Sequence, residues 1–427
     1  MAKLNSKRIV LLISIFFPPE IGGGSTGAWN RALAFHKMGY SVFVLCGFPA
    51  YPTGKVKDKK YKGKIFYVEN MSPFTVIRLR LIPLKHSGLV NRLLIFLNFI
   101  FAAILFMPKI SKIVGRVDVV YARAPILFSS FIGSVYAKLR HSFFILEMPD
   151  LWPEELVAIK TNVFFIVMPI GRALAKLAYA LPDTIVTIST SAANRISADY
   201  RPGVPVYGIP VGVDSSNFKS LQKNNARNEL IKTNLFPSEL TDKFIVLYTG
   251  IVSEAQKVEN LAYAAEKLKH EKEIAIVIIG EGEQKKLLEQ LKVEHNLQNF
   301  YLLPTQPRSL MPTIISSADV CAIMLSSEAI FQIALPTKFY EYLASKKPLI
   351  AVCEGELANV INSNNIGKAL NHKEIDGLAE TIKEFKESSS MLQTMQNNCE
   401  KVLQNFSIEK ISSDLHKIIE KEIVVIE

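Results

Sequence analysis

Cysteine is scarce, and its placement excludes more than its number. Cys46, Cys321, Cys353 and Cys399 are widely spaced, and three of them lie near apolar runs. That is a pattern of core packing in a reducing compartment, against a disulfide framework or a thiolate zinc site. No D-x-D motif marks a divalent metal. The glycines of Gly22-Gly23-Gly24-Ser25-Thr26-Gly27 lack the GxGxxG spacing of a dinucleotide fingerprint, so they say only that something approaches the backbone closely, or that the chain turns tightly there. A long membrane-crossing run is also missing. The most apolar stretch, Leu93 to Met107, is interrupted only by Asn98. As a helix it would reach about 22 Å, short of a hydrocarbon core of about 30 Å. The N-terminal run Ile9 to Phe17 is short, has no small-residue cleavage site and leads into Pro18-Pro19-Glu20. It is read as the first strand of a sheet, not as a leader that is removed.

What is present is a globular composition over two domains' worth of chain: 427 residues, 49% hydrophobic and 21% charged. The net charge of +11 is unevenly placed, because residues 1 to 217 hold 26 Lys+Arg against 11 Asp+Glu. A basic half suits nucleic acid, an anionic membrane face or a phosphate-bearing substrate. No nucleic-acid module accompanies it, which disfavours the first. The segment from about 88 to 114 is aromatic-rich and flanked by Arg92 and Lys109. It reads as a helix in a membrane interface or as one buried between domains, with the interface preferred. Residues 55–64, KVKDKKYKGK, read as a solvated basic loop.

Apolar runs ending in Gly or Pro before helical patterns recur along the chain. Ile9–Phe17, a glycine turn, a helix from about Ala28 to Met38 and Val42–Cys46 open a doubly wound parallel sheet. Further strands are expected at Val117–Ala122, Phe143–Glu147 and Thr184–Ile188, with a helix starting at Ser189. Residues 219–242 are polar and read as a linker. Strands at Phe244–Thr249, Ile274–Gly280, Phe300–Leu303 and Ala318–Leu325 then alternate with helices into a second such sheet. Ile408 to Glu420 reads as an amphipathic helix.

The stretch Leu335–Ala351, LPTKFYEYLASKKPLIA, carries the most chemistry. Proline suits a first helical turn and threonine can cap one, so a helix is expected from Pro336-Thr337 to about Ser345. A helix start at the carboxyl edge of a sheet offers free N–H groups and a positive dipole end, and Lys338 adds a full charge. That is an anion site fit for a diphosphate. Glu341, one turn on, could accept both hydroxyls of a ribose. Taken alone, an acid near a helix start and a solvated lysine explain these residues equally well.

The stretch resembles the nucleotide-sugar signature of the retaining family 4 glycosyltransferases, P-[ST]-K-x-x-E-Y-x-A-x-G-K-P. The run PPEIGGGSTGAWNRALAFHKMGYSVFVL with Tyr51-Pro52-Thr53-Gly54-Lys55, and Pro149-Asp150-Leu151-Trp152-Pro153-Glu154, resemble the branch that assembles bacterial surface polysaccharides. Gly208-Ile-Pro-Val-Gly-Val-Asp214 to Phe218 matches that family's crossing between domains, with Val211 in place of its asparagine. The resemblance implies the GT-B architecture, two doubly wound α/β domains facing a cleft. Residues 1–217 form the acceptor side, 218–405 bind the nucleotide sugar, and 406–427 form a helix packing back across the domains. It places the donor nucleotide on Gly250, Gln256, Lys257, Gly280, Glu281, Pro304, Pro336, Thr337, Lys338 and Glu341. It places donor sugar and acceptor near Glu20, Gly22, Gly23, Gly24, Arg31 and Glu328. Asp150 and Glu154 are the candidate carboxylates for an acceptor hydroxyl, with an N-cap by Asp150 an equal alternative. Lys338 and helix dipoles would neutralise the leaving diphosphate without metal or other cofactor.

Two departures bear on mechanism. The family's phosphate-binding arginine and lysine after the second domain's first strand are Ile251 and Gln256, and its first signature glutamate is Ile333. Glutamine at 256 still fits the polysaccharide branch, with Lys257 able to supply charge, and Glu328 could stand in for the missing acid. A deoxy or N-acetylated donor with fewer hydroxyls to bind would fit that loss. The expected activity is transfer of a sugar, from a UDP-linked donor, to a polyprenyl-diphosphate-linked acceptor in O-antigen or capsule synthesis, by a peripheral protein on the cytoplasmic face of the plasma membrane. A non-catalytic GT-B protein is the alternative.

Overall fold

The computed structural model describes residues 7–20, 22–51, 53–86, 88–123, 128–153, 164–218, 221–333 and 335–426. The chain forms two compact units, residues 1–212 with 408–427, and residues 213–407.

The first unit holds strands β1 (Ile9–Ile13), β2 (Ser41–Gly47), β3 (Phe66–Met71), β4 (Phe74–Leu79), β5 (Val119–Arg123), β6 (Phe143–Met148), β7 (Thr184–Thr187) and β8 (Val206–Gly208). They lie in the order β3-β4-β2-β1-β5-β6-β7-β8. Every neighbouring pair is parallel except β3 and β4, an antiparallel edge hairpin turning at Ser72-Pro73 that the sequence pattern did not reveal. Helices α1 (Gly23–Lys37), α2 (Leu89–Leu105), α3 (Met107–Val114), α4 (Phe128–Arg140), α5 (Phe164–Tyr179) and α6 (Thr190–Tyr200) connect them. Right-handed crossovers decide their faces. The chain steps one way from β1 to β2 through α1, and the opposite way from β4 to β5 and on to β8, so α2, α4 and α5 cover the other face.

The second unit begins with α7 (Lys223–Lys232), then β9 (Phe244–Thr249), α8 (Glu259–Lys267), β10 (Ile274–Ile279), α9 (Lys285–Glu294), β11 (Phe300–Leu303), α10 (Met311–Ser317) and β12 (Val320–Met324). It continues with α11 (Thr337–Ala344), β13 (Leu349–Val352), α12 (Glu356–Ser363), β14 (Gly367–Leu370), α13 (Leu378–Glu387) and α14 (Ser389–Leu403). Its parallel sheet runs β11-β10-β9-β12-β13-β14. Apart from Thr249 in β9 and Lys368 in β14 the strands are apolar, because helices cover both faces. The last helix, α15 (Ile408–Ile426), returns to the first unit and buries Ile408, Ile411, Leu415 and Ile419 in the core beneath α1.

Several expectations are corrected. The glycine run is not a free turn: Gly22 caps α1, and Gly23 and Gly24 are already helical. Residues 219–242 are not a linker, since α7 buries Ala226 and Leu230 one turn apart and Arg227 pairs with Asp319 at 2.7 Å. The segment from about 88 to 114 is two helices, α2, which holds the apolar run from Leu93 to Leu105, and α3, meeting at 63° where Pro108 sits in the first turn of α3. The polar exception in α2, Asn98, accepts a hydrogen bond from the Ile82 N–H. The division between units falls near 212, not 217. The 55–64 loop is pinned, with Tyr61 buried and stacked on Phe48 at 4.8 Å.

Candidate nucleotide-binding site

Ligands of open α/β sheets bind beyond the carboxyl ends of strands where the winding direction reverses. In the second unit the reversal lies between β9 and β12. Gly250 follows β9, and the chain leaving β12 leads into α11. Helix α11 forms because Phe339, Tyr340, Tyr342 and Leu343 give it a buried face. Lys338 and Glu341, three positions apart, therefore share the half-buried side. Pro336 is the N-cap, with no side chain capping the helix and no acid in its first turn, so Thr337 is its first residue and not a cap. Tyr342 fixes the helix to the end of β9, its hydroxyl accepting from the Thr249 N–H at 2.9 Å.

Lys338 is held on three sides. Its Nζ donates to Gln256 Oε1 at 2.8 Å and lies 3.8 Å from the centre of the Tyr248 ring. It runs against Gly250, where a Cβ would approach Nζ to 3.3 Å, and Gly250 itself has φ of +128°. Burial pushes the Lys338 ammonium down to about 7, with Glu341 opposing. The ammonium keeps a partly open surface, and the ring face and glutamine oxygen both favour its charged form. The Tyr248 hydroxyl donates to the Ile251 carbonyl at 2.7 Å, with the Gln256 oxygen 3.2 Å away, which holds the ring in place beneath Lys338. Burial raises the pKa of Glu341, with Arg308 and Lys338 pulling it back; Arg308 lies 3.7 Å away.

The floor is built from backbone. A Cβ on Gly280 would lie 1.9 Å from the Gly250 carbonyl oxygen, and one on Gly282 would lie 2.0 Å from that of Val252. Only glycine lets the loops after β9 and β10 meet this closely, and they are joined by Val252 N–H donating to the Glu281 carbonyl at 2.9 Å. The Glu281 side chain turns outward to Lys285. Lys257 faces Glu259 at 3.8 Å, and Pro304 is exposed just after β11. Glu328 is exposed on the loop after β12, its carbonyl accepting from Phe331 N–H. Tyr248 and Arg308 were missed by sequence reasoning; a tyrosine inside an apolar strand looks like core, and Arg308 lies outside any motif.

The first unit has its own reversal between β1 and β5, and a buried ion cluster occupies it. Arg31 is fully enclosed; it donates to Glu147 Oε1 at 2.9 Å and to the Ile209 carbonyl at 2.9 Å. Arg123, at the end of β5, lies 3.0 Å from Glu147 Oε2 and donates to the Gly24 carbonyl at 2.9 Å. A Cβ on Gly27 would lie 2.4 Å from its guanidinium, so Gly27 makes room for Arg123. Burial would raise the Glu147 pKa, but Arg31 and Arg123 together hold it below the usual carboxylate range. Arg31 thus anchors α1 from within instead of facing a ligand. Glu20 accepts from the Ala50 and Tyr51 N–H groups at 2.9 and 3.0 Å. Asp150 is exposed beyond β6, and Glu154 lies outside the described residues.

Residues 231–402 match the family Glycosyl transferases group 1. This part of the chain is a group 1 glycosyltransferase domain. The group 1 domain contains Lys338, Glu341, Gln256, Arg308 and Tyr248, the side chains gathered at the site in the second unit. Over longer spans, the chain is 25% identical across 351 residues to the putative colanic acid biosynthesis glycosyl transferase WcaI of Escherichia coli, covering 78% of this chain and 81% of that one. It is 26% identical across 295 residues to the probable glycosyltransferase WbjE of Pseudomonas aeruginosa, covering 63% and 66%. Among solved structures, sucrose-phosphate synthase from Thermosynechococcus elongatus superposes with a TM-score of 0.77 at 16% identity, covering 98% of this chain and 100% of that one. Anabaena HepE in complex with UDP-glucose gives 0.68 at 13%, covering 97% and 99%. Both show the fold, GT-B, with the group 1 domain as its second half.

Proposed function

We propose that the protein is a retaining glycosyltransferase that moves a sugar from a UDP-linked donor to a polyprenyl-diphosphate-linked saccharide in surface-polysaccharide synthesis, docked on the cytoplasmic membrane face. The observation that carries this is the Lys338 group: an uncapped helix start, a lysine held by Gln256 and Tyr248, and Glu341 one turn on. Dipole and ammonium together suit a diphosphate, and the carboxylate suits a ribose. WcaI is described as a putative glycosyl transferase of colanic acid biosynthesis and WbjE as a probable glycosyltransferase, and HepE is seen in complex with UDP-glucose, which supports the substrate class. Asp150 and Glu154 are the proposed acceptor carboxylates. In a retaining transfer of this kind the acceptor hydroxyl enters on the leaving group's face, and a β-phosphate oxygen takes its proton. Ile251, half exposed where many relatives of the signature carry arginine, favours a second reading, a GT-B protein that binds nucleotide without turnover. Turnover of any donor eliminates it.

Calorimetric titration with UDP, GDP and UDP-sugars tests the donor class. Glu341→Ala should weaken the nucleotide that binds by about 1.5 to 3 kcal/mol, the range for hydrogen bonds to a charged group. Unchanged affinity would sink the ribose assignment.

The Lys338 pKa gives a second check. A bound diphosphate stabilises the ammonium, so its pKa is higher in the complex than the value of about 7 in the free protein. Binding therefore takes up a proton above pH 7. Affinity for a UDP-sugar, whose diphosphate has no ionisation in this range, should be level just below pH 7 and fall toward pH 9, by at most about tenfold per unit. Lys338→Met should bind more weakly and lose the slope. A level wild-type profile from pH 6 to 9 would show that Lys338 stays charged without ligand.

A further inference from the structure

The first unit has an apolar exterior where a soluble helical layer would be polar. Helix α2 buries Ile95, Phe99 and Ala103 in the protein, yet its opposite side presents Leu97, Phe101 and Ile104 to solvent, with Phe101 67% exposed. The same holds for its neighbours. On α4, which packs Ile132 and Tyr136 inward, Leu139 is 64% exposed; on α5, Ile170 is 58% and Leu177 53% exposed. The three helices are successive crossovers on one face of the sheet, and α5 is tied to α4 by the Ser130 hydroxyl donating to the Ala178 carbonyl at 2.7 Å. Large apolar side chains thus stand exposed on three adjacent helices, the kind of surface that marks a membrane or partner contact.

The charges around it identify what covers it. From residue 85 to 146 the sequence holds eight Lys or Arg, of which Arg123 is buried against Glu147, and one acid, Asp118, which accepts a hydrogen bond from the Ile9 N–H. Helix α5 adds Arg172 and Lys176, both exposed, and no acid. A protein partner would ordinarily be met by charges of both signs. An apolar face on helices whose exposed charges are mostly cations complements a bilayer containing anionic lipid. No single described helix is long and apolar enough to cross a membrane, whereas α2 and α3 together pass on length and composition. The buried side of α2 argues against their crossing, because residues locked in the protein core cannot face lipid.

We propose that α2, α4 and α5 form one composite membrane-docking face, sunk side-on into an anionic leaflet, with Leu139, Ile170 and Leu177 as members beyond the α2–α3 segment. This rests on the membrane part of the proposed function and not on its donor or acceptor chemistry. Single cysteines at Leu97→Cys, Leu139→Cys and Leu177→Cys, in the full chain, can carry an environment-sensitive dye, because the four native cysteines are buried. With phosphatidylcholine vesicles containing about one-third phosphatidylglycerol, all three dyes should shift to the blue. Without the anionic lipid, or in high salt, the shift should shrink. The triple variant Leu139→Glu, Ile170→Glu, Leu177→Glu should lose at least about tenfold in vesicle partitioning. A shift at Leu97→Cys alone would leave α2 as the docking element and overturn the composite face. No shift at any position, with the chain sedimenting as a dimer, would assign the face to a second copy. Nucleotide titration is run in parallel. Dyes that shift in a protein that binds no nucleotide uphold the docking face and remove the transferase reading instead.

Discussion

Lys338→Met should lower donor turnover by about 10²- to 10³-fold, the loss typical when one fixed stabiliser of developing charge is removed. The ammonium sits over the Tyr248 ring and against Gln256 in the free protein, so it is aimed before substrate arrives. Cleavage of the sugar–phosphate bond builds charge on the diphosphate, and a preset cation in a partly buried pocket gains more from that charge than from the ground state. Most of the loss should therefore fall on kcat, with a smaller rise in KM. Lys338→Arg should recover little, because the planar guanidinium does not fit the space of the ammonium against Gly250. Release of UDP from a UDP-sugar, followed with and without membrane extract as acceptor source, provides the readout. A loss below tenfold would mean that the leaving group is neutralised elsewhere, with Arg308 the next cation to remove.

The largest effect on stability should come from Glu147→Ala. It strands Arg31 and Arg123, both buried, with no carboxylate between them. Breaking a buried ion pair in this way costs about 3 to 5 kcal/mol. The melting transition of the first unit should drop by about 6 to 20 °C. Glu147→Gln keeps a hydrogen-bond acceptor for Arg31 but no charge, and should fall between. A Glu147→Ala protein that melts with the wild type would show that water or a rearranged side chain replaces the carboxylate. Because the Glu147 pKa is depressed, its contribution holds above the unfolded carboxylate value and is lost as pH falls through the folded one, so the difference between wild type and Glu147→Ala should narrow in acid.

The alternation of apolar strands with helices was legible in the sequence because the central parallel strands are covered on both faces and read as hydrophobic runs, whereas β4, β8 and β14, with polar residues or few residues, gave no such run. Phe300–Leu303 has the bounds expected of it, and Phe244–Thr249 likewise. Ser189 caps α6 as its residue type suggests, its hydroxyl accepting from the Ala192 N–H. What failed was governed by partners distant in sequence. The start of α1 read as a turn because glycine is a poor helix former, and the Arg123 guanidinium, distant in sequence, is what requires glycine at Gly27. Helix α7 read as a linker because its polar residues gave no stripe, and the Arg227–Asp319 pair that anchors it spans 92 positions. In the candidate site, Lys338 and Glu341 stood out through their spacing on one short helix. Tyr248 and Arg308 did not, because they join the group only when the sheet brings β9 and the turn after β11 beside α11.

The return of α15 to the first unit sets an order of events during synthesis. The hydrophobic core beneath α1 includes Ile408, Ile411, Leu415 and Ile419. A nascent chain that has emerged through residue 407 holds every residue of the second unit, which is continuous in sequence, but only part of the first. The segment made first is thus the one completed last, and α1 keeps an uncovered apolar flank for the whole time that residues 213–407 are being made. A ribosome delivering about 5 to 20 residues per second takes roughly 10 to 40 seconds over that interval. The first unit is therefore the part of the chain with the longest exposure to chaperones and to aggregation, although its strands leave the ribosome before any of the others.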